Sequence, residues 1–186
     1  MSTQVHQVAV LVGSLRKGSL SRRLALALQR LAPPSLKLEI VEIGQLPFYN
    51  ADEEPSPPAS YGPFRDAIRA ADALLLVSPE YNRSVPAALK NALDVGSRPY
   101  GHNVFNAKPA AVITQSPGAI GGFGANHHLR QILACLNVST MPGPEVYLGG
   151  SQELLDEAGA ITKPDTEAFL RKFVEAFAAW VARQRG

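Results

Sequence analysis

The stretch Gly13-Ser-Leu-Arg-Lys-Gly-Ser-Leu-Ser21 gathers three serines and an arginine, Ser14, Ser19, Ser21 and Arg16, between an apolar run at 8–12 and a helix-like run at 22–30. Hydroxyls, a guanidinium and the unpaired N–H groups that open a helix are the donor set of an anion site. Its two glycines have the spacing of the nucleotide-hydrolysing loop G-x-x-x-x-G-K-[ST]. Ser19, however, stands at the lysine position and Leu20 at the magnesium-binding hydroxyl, so phosphoryl transfer is not indicated. The dinucleotide pattern G-x-G-x-x-G fails as well, because position 15 is Leu. What remains suits a single terminal phosphate that is held and left intact. An ordinary strand-to-helix turn with Ser19 or Ser21 as N-cap has the same residues, and the loop alone leaves both readings open.

Two further loops bear on the choice. Pro79-Glu-Tyr-Asn-Arg-Ser-Val-Pro86 follows the apolar run 73–78, and Gln115-Ser-Pro-Gly-Ala-Ile-Gly-Gly-Phe-Gly124 follows the run 110–114. The first is confined by two prolines yet carries Glu80, Tyr81, Asn82 and Arg83. The second is rich in glycine, so its backbone can lie close to a flat surface. Two such walls fit a planar heterocycle, with a phosphate tail in the loop at 13–21. For Tyr81 taken alone, packing is the more ordinary role.

These loops need elements that bring them to one place. Strand-like runs fall at 5–12, 36–43, 73–78, 110–114 and 139–148, the last interrupted by Pro142-Gly-Pro144. Several are β-branched without alternation, as expected of strands covered on both faces. Between them lie helical spacings: Leu24, Leu28, Leu31; Phe64, Ile68, Ala71; Leu129, Ile132, Leu133, Leu136; and Phe169, Phe173, Phe177, Trp180, Val181. Alternating strands and helices predict an α/β fold with a parallel sheet between two helical layers. In such sheets ligands collect beyond the carboxyl ends of the strands, where strand order reverses. The final helix has a start signal in Thr162-Lys-Pro-Asp165, and the Pro-rich stretch 53–58 reads as a surface loop.

With 186 residues, 46% hydrophobic and 18% charged, the chain fits one domain over 1–186. A net charge of +2, with basic residues scattered, gives no footprint for nucleic acid. Cys135 is the only cysteine, which excludes an intrachain disulfide and points to a reducing cytoplasm. No basic N-terminal region precedes the first apolar run, and nothing reaches membrane-span length. Cys135, between Ala134 and Leu136, reads as a small buried side chain, and the stripe from Phe169 to Phe177 as core. Lys90 and Asp94 have the spacing of a surface pair. His127 and His128 project about 100° apart on a helix, poor geometry for a shared metal.

The segments GSLRKGSLS, SPEYNRSVPAALKNALD and SPGAIGGFGANHHLRQIL, in this order and spacing, resemble the NADPH-dependent FMN reductase family of flavodoxin-like proteins, which includes bacterial quinone, chromate and azo-dye reductases. The resemblance runs over nearly the whole chain. It implies a three-layer sandwich around a five-stranded parallel sheet of order 2-1-3-4-5, bound FMN, NADPH or NADH as co-substrate, and a homodimer or homotetramer. It also implies that Ser14, Leu15, Arg16, Ser19, Leu20 and Ser21 hold the cofactor at its phosphate end. Pro79, Glu80, Tyr81, Asn82 and Arg83 would border the ribityl chain and ring, and Ser116 and Gly118 the ring edge. The chemistry would then belong to the flavin, with no acid–base residue, and hydride donor and electron acceptor would alternate in a ping-pong sequence. The chain departs from its relatives at Ser21, often Asn; at Val95, often Trp; and at Arg83, a variable position open to a solvated charge or to the extra phosphate of NADPH. The other reading is a flavodoxin-type electron carrier, against which the positive net charge stands.

Overall fold

The apolar runs become β1 (His6–Val12), β3 (Ala73–Pro79) and β4 (Pro109–Gln115), with β2 (Leu36–Val41) outside β1 and two short strands, β5 (Ser139–Thr140) and β6 (Val146–Leu148), outside β4. The helices are α1 (Leu20–Leu31), α2 (Tyr61–Ala70), α3 (Ala87–Ser97), α4 (Phe123–Cys135) and α5 (Pro164–Arg185). The structure is a computed structural model and describes residues 4–185. The N-terminal segment read for an export signal therefore lies partly, at residues 1–3, outside the described residues. All pairings between these strands are parallel and the order is β2-β1-β3-β4-β5, as the resemblance implies.

The sheet divides the core by strand parity. Val8, Val10, Val12, Leu75, Val77, Ala111 and Ile113 face α1 and α5, whereas Ala9, Leu11, Leu74, Leu76, Ala110 and Val112 face α2, α3 and α4. Every residue of β3 and β4 is buried, the physical reason their sequences do not alternate. β2 is an edge strand and does alternate: Leu36 and Leu38 point inward, Lys37 and Glu39 outward. Removing a side chain such as Leu75, wholly buried between its neighbours, would cost about 2–5 kcal/mol.

Several boundaries differ from the sequence expectation. The strand predicted at 139–148 is two pieces: the Met141 N–H still reaches the Ala110 carbonyl at 2.7 Å, but Pro142 and Pro144 have no N–H to donate and residues 142–145 leave the ladder. β2 stops at Val41 rather than position 43. α5 does begin at Pro164, but Thr162 does not cap it: its hydroxyl donates to the Glu153 carbonyl at 2.6 Å. Phe173, Phe177 and Val181 are core, yet Phe169 lies exposed at the head of the stripe. Cys135 is exposed. α4 buries Ala125, Leu129 and Leu133, and two further residues turn the chain about 200° away from that face. Val95 is wholly buried, and its carbonyl accepts from Arg65 Nε at 3.0 Å.

Two carboxylates tie the layers together. At the amino end of the sheet, Asp72 accepts from the Gln7 N–H at 2.9 Å and from Arg185 Nη2 at 3.0 Å, joining β1 to the last turn of α5. Burial pushes the Asp72 carboxyl up, but the Gln7 amide and the Arg185 guanidinium outweigh it, so its pKa lies below the ordinary 3.8. At the carboxyl end, Glu80 accepts from the Ala125 N–H at 3.0 Å and so satisfies one of the orphan donors that open α4.

A folded-state pKa below the unfolded value gives a stabilisation present above the unfolded pKa and lost as pH falls through the folded one. Asp72→Asn should therefore lower unfolding free energy by about 1–2 kcal/mol at neutral pH, and the gap from wild type should close in acid, as pH falls below the ordinary 3.8 and through the depressed folded-state value. Urea titrations across that range give the comparison; a gap independent of pH would assign the loss to packing instead. Glu80→Ala should cost about 1.5–3 kcal/mol, read as a lower urea midpoint with an unchanged slope. An unchanged midpoint would mean that the α4 contact carries no stability.

Candidate functional site

Register sets the three loops side by side. Val12 of β1 pairs with Val77 of β3, Pro79 of β3 with Gln115 of β4, and Gln115 with Leu148 of β6, so the chain leaves the sheet at one edge each time. Gly13 N–H still reaches the Val77 carbonyl at 2.9 Å. β1 has β2 on one side and β3 on the other, which makes the β1–β3 boundary the point where strand order reverses.

In the loop after β1, Ser14 is half-buried and Leu15, Arg16 and Lys17 are exposed. Ser19 is buried as the α1 N-cap, accepting from the Arg22 N–H at 3.1 Å. The capping role is thus real, and it is compatible with an anion site: the N–H groups of Leu20 and Ser21 have no hydrogen-bond partner among the described residues. Arg22 is held by Glu42 through two bonds of 3.1 and 2.6 Å, and that hydrogen bond keeps the Glu42 carboxyl below its usual range. Arg16 makes no ion pair among the described residues. A free guanidinium beside unpaired helix-opening amides fits a phosphate group. Leu15 leans toward Gly44, on the β2 flank, where a cleft of about 330 Å³ runs between Ser14, Arg16 and Glu42. Leu20 is half-buried at the first helical position, and Ser21 is wholly buried with its hydroxyl turned to Gln115.

The loop after β3 is a tight hairpin. Tyr81 and Ser84 exchange two backbone bonds of 3.0 and 2.9 Å, and Asn82 and Arg83 both have positive φ, 49° and 64°, as a type I′ turn requires. Pro79 is buried at the strand end. The Glu80 side chain is only 11% exposed, and its carboxylate is committed to Ala125 and, at 3.7 Å, to Arg83. Arg83 itself is 73% exposed, a largely solvated charge. Tyr81, 47% exposed, is not core, which leaves its ring available to a ligand.

The glycine-rich loop does more than lie open. A Cβ on Gly124 would stand 2.7 Å from the Arg83 carbonyl oxygen, and one on Gly121 2.5 Å from the Tyr147 carbonyl carbon, so both glycines serve close backbone packing inside the protein. Gly118 is different: only Ser116 Oγ lies within reach, at 3.8 Å, and the residue is exposed. Ser116 donates its hydroxyl to the Gly118 carbonyl at 3.0 Å, which fixes that turn. Ile120 and Phe123 are exposed beyond it. With Tyr81 they give the carboxyl edge of the sheet exposed apolar surface suited to a planar ring.

His127 and His128 diverge, His127 Nδ1 to the Phe123 carbonyl at 3.0 Å and His128 Nδ1 to Ser84 Oγ at 2.9 Å. Among the described residues no group of three or more His, Cys, Asp or Glu is placed to hold a metal ion. Burial pushes the Tyr147 phenol up to about 12. Sequence reasoning missed Gln115, buried at the end of β4. Its one signal was a polar residue closing an otherwise apolar strand.

Known proteins resemble this chain in sequence and fold. Residues 6–153 match the family model described as NADPH-dependent FMN reductase. A quinone reductase of Pseudomonas putida is 56% identical over 184 residues, 98% of each chain. A 2-hydroxy-1,4-benzoquinone reductase of a Burkholderia species is 44% identical, over 96% of this chain and 98% of that one. Among solved structures, the flavoenzyme NAD(P)H:(acceptor) oxidoreductase FerB of Paracoccus denitrificans superposes with a TM-score of 0.92 at 43% identity, covering 97% of this chain and 99% of its own. The chain belongs to the NADPH-dependent FMN reductase family, flavodoxin-like oxidoreductases that work with FMN and NAD(P)H.

Proposed function

We propose that the protein is an FMN-dependent NAD(P)H:quinone reductase, a single domain that takes hydride from a nicotinamide and delivers two electrons to a quinone. The observation that carries this reading is an anion cradle at the same sheet edge as an open apolar surface: unpaired Arg16 and the α1 amides in the loop after β1, exposed Tyr81, Ile120 and Phe123 in and beside the loops after β3 and β4. That the relatives at 56% and 44% identity are named for quinone reduction supports the choice of acceptor. Azo compounds, chromate and free flavin are further acceptors for a site so open.

In this proposal Ser14, Arg16, Ser19, Leu20 and Ser21 hold the FMN phosphate, loop 79–83 borders the ribityl chain and ring, and Ser116 and Gly118 the ring edge. FMN, when bound, supplies the hydride acceptor and donor chemistry. The chain's own residues orient and enclose. Glu80 offers its backbone rather than its charge, since its carboxylate is spent on α4. No side chain here is assigned as acid or base. The loops leave one open side, which donor and acceptor occupy in turn. We further propose a homodimer or homotetramer working in the cytoplasm. Half-buried Val85, Ile132 and Leu136 beside clefts of about 350 and 440 Å³ between α3 and α4 support the assembly. No helix of the described residues is long and apolar enough to cross a membrane.

Arg16→Ala should weaken FMN binding about ten- to a hundred-fold, the worth of one charge-assisted contact, while circular dichroism stays native. Dialysis should strip the variant of flavin; retention equal to wild type would remove Arg16 from the phosphate site. Steady-state rates at several quinone concentrations should give parallel double-reciprocal lines, with inhibition at high quinone. Intersecting lines would instead show both substrates bound at once on separate surfaces.

A further inference from the structure

Beneath the loop that opens α1 lies a buried polar contact that no part of the chemistry above uses. Gln115 continues the face of β4 that carries Ala111 and Ile113 toward α1 and α5, and it is 4% exposed. Its Nε2 donates to Ser21 Oγ at 3.0 Å, across 94 positions of sequence, and Ser21 is wholly buried. Gln115 Oε1 has no protein partner, nor has Ser151 Oγ, wholly buried in the turn whose N–H donates to the Ser116 carbonyl at 3.1 Å. A buried amide left half unsatisfied in an apolar layer is unfavourable, and leucine or methionine would fill the position without that penalty.

We propose that Gln115 is a positioning residue for phosphate binding: by donating to the buried Ser21 Oγ it pins the first turn of α1 to β4, so that the unpaired Leu20 N–H at the head of the helix keeps its direction into the loop. The proposal rests on the reading of this loop as the FMN phosphate site.

The test compares two flavins that differ only at the phosphate. Apoprotein is titrated with FMN and with riboflavin, and Kd is read from flavin fluorescence. Gln115→Met, which removes the donor at similar volume, should raise Kd for FMN about tenfold and leave riboflavin within about twofold. Ser21→Ala should do the same, and the double variant should lose no more than either single one, because both act through one contact. Should Gln115→Met fail to fold, Ser21→Ala alone carries the comparison. Equal losses for both flavins would reduce Gln115 to a packing residue, and unchanged FMN binding would remove it from the site; either overturns the proposal. If wild-type apoprotein binds riboflavin as tightly as FMN, the phosphate reading of the loop falls and the proposal with it, a result separable from the others because it appears without any substitution.

Discussion

A helix that starts at a sheet edge exposes backbone N–H groups with nothing to bond to, and here the start of α4 is closed by a carboxylate from another loop. Glu80 Oε2 reaches the Ala125 N–H, and the lack of a side chain at Gly124 lets the Arg83 carbonyl come in beside it. Much of the site follows from that contact. The hairpin at 81–84 places two non-glycine residues at positive φ, a conformation that costs free energy unless its surroundings hold it. Anchored on α4, the hairpin becomes a firm wall rather than a mobile tip. The same contact explains why an acidic residue can sit beside the proposed site for a negatively charged cofactor: its carboxylate faces a helix N-terminus.

Parallel pairing supplies the other half of the arrangement. Every strand of this sheet points the same way, so each connection to the next helix leaves from one edge and each return enters at the other. Polar residues at the carboxyl edge, such as Ser78 and Thr114, are buried but lie at strand ends, where nearby backbone carbonyls accept from their hydroxyls. At the opposite edge Asp72 and Lys108 do comparable work. Lys108 Nζ donates to the Ala71 carbonyl at 2.5 Å and to that of Arg69 at 3.2 Å, closing the last turn of α2, and burial lowers its pKa.

The layer architecture was legible because buried strands must be apolar on both faces: runs such as Ala-Leu-Leu-Leu-Val at 73–77 admit few other readings. The three loops were legible because glycine, proline and hydroxyl residues cluster where strands end. What escaped was the identity of the partners. Nothing in the Glu80 residue type says that its carboxylate will be spent on an amide 45 positions away. The glycines of the loop after β4 have the composition of a ligand surface, yet Gly121 and Gly124 serve contacts within the protein. Cys135 was misread because its neighbours in sequence are apolar, whereas burial on a helix is decided by residues three and four positions away. Gln115 carries its significance only through Ser21, and a contact across 94 positions has no local signature.

The interrupted outer strand has a consequence of its own. A sheet bordered by one long, regular strand offers a free ladder on which a second chain can template, the common first step in aggregation. Here that border is broken between Thr140 and Val146 by a detour holding Pro142 and Pro144, so only short stretches of two and three residues remain on it. On the far border, β2 turns the ion-paired Lys37 and Glu39 outward, where an incoming apolar strand would have to bury them. Both borders are therefore unwelcoming to strand addition by a second copy of the chain.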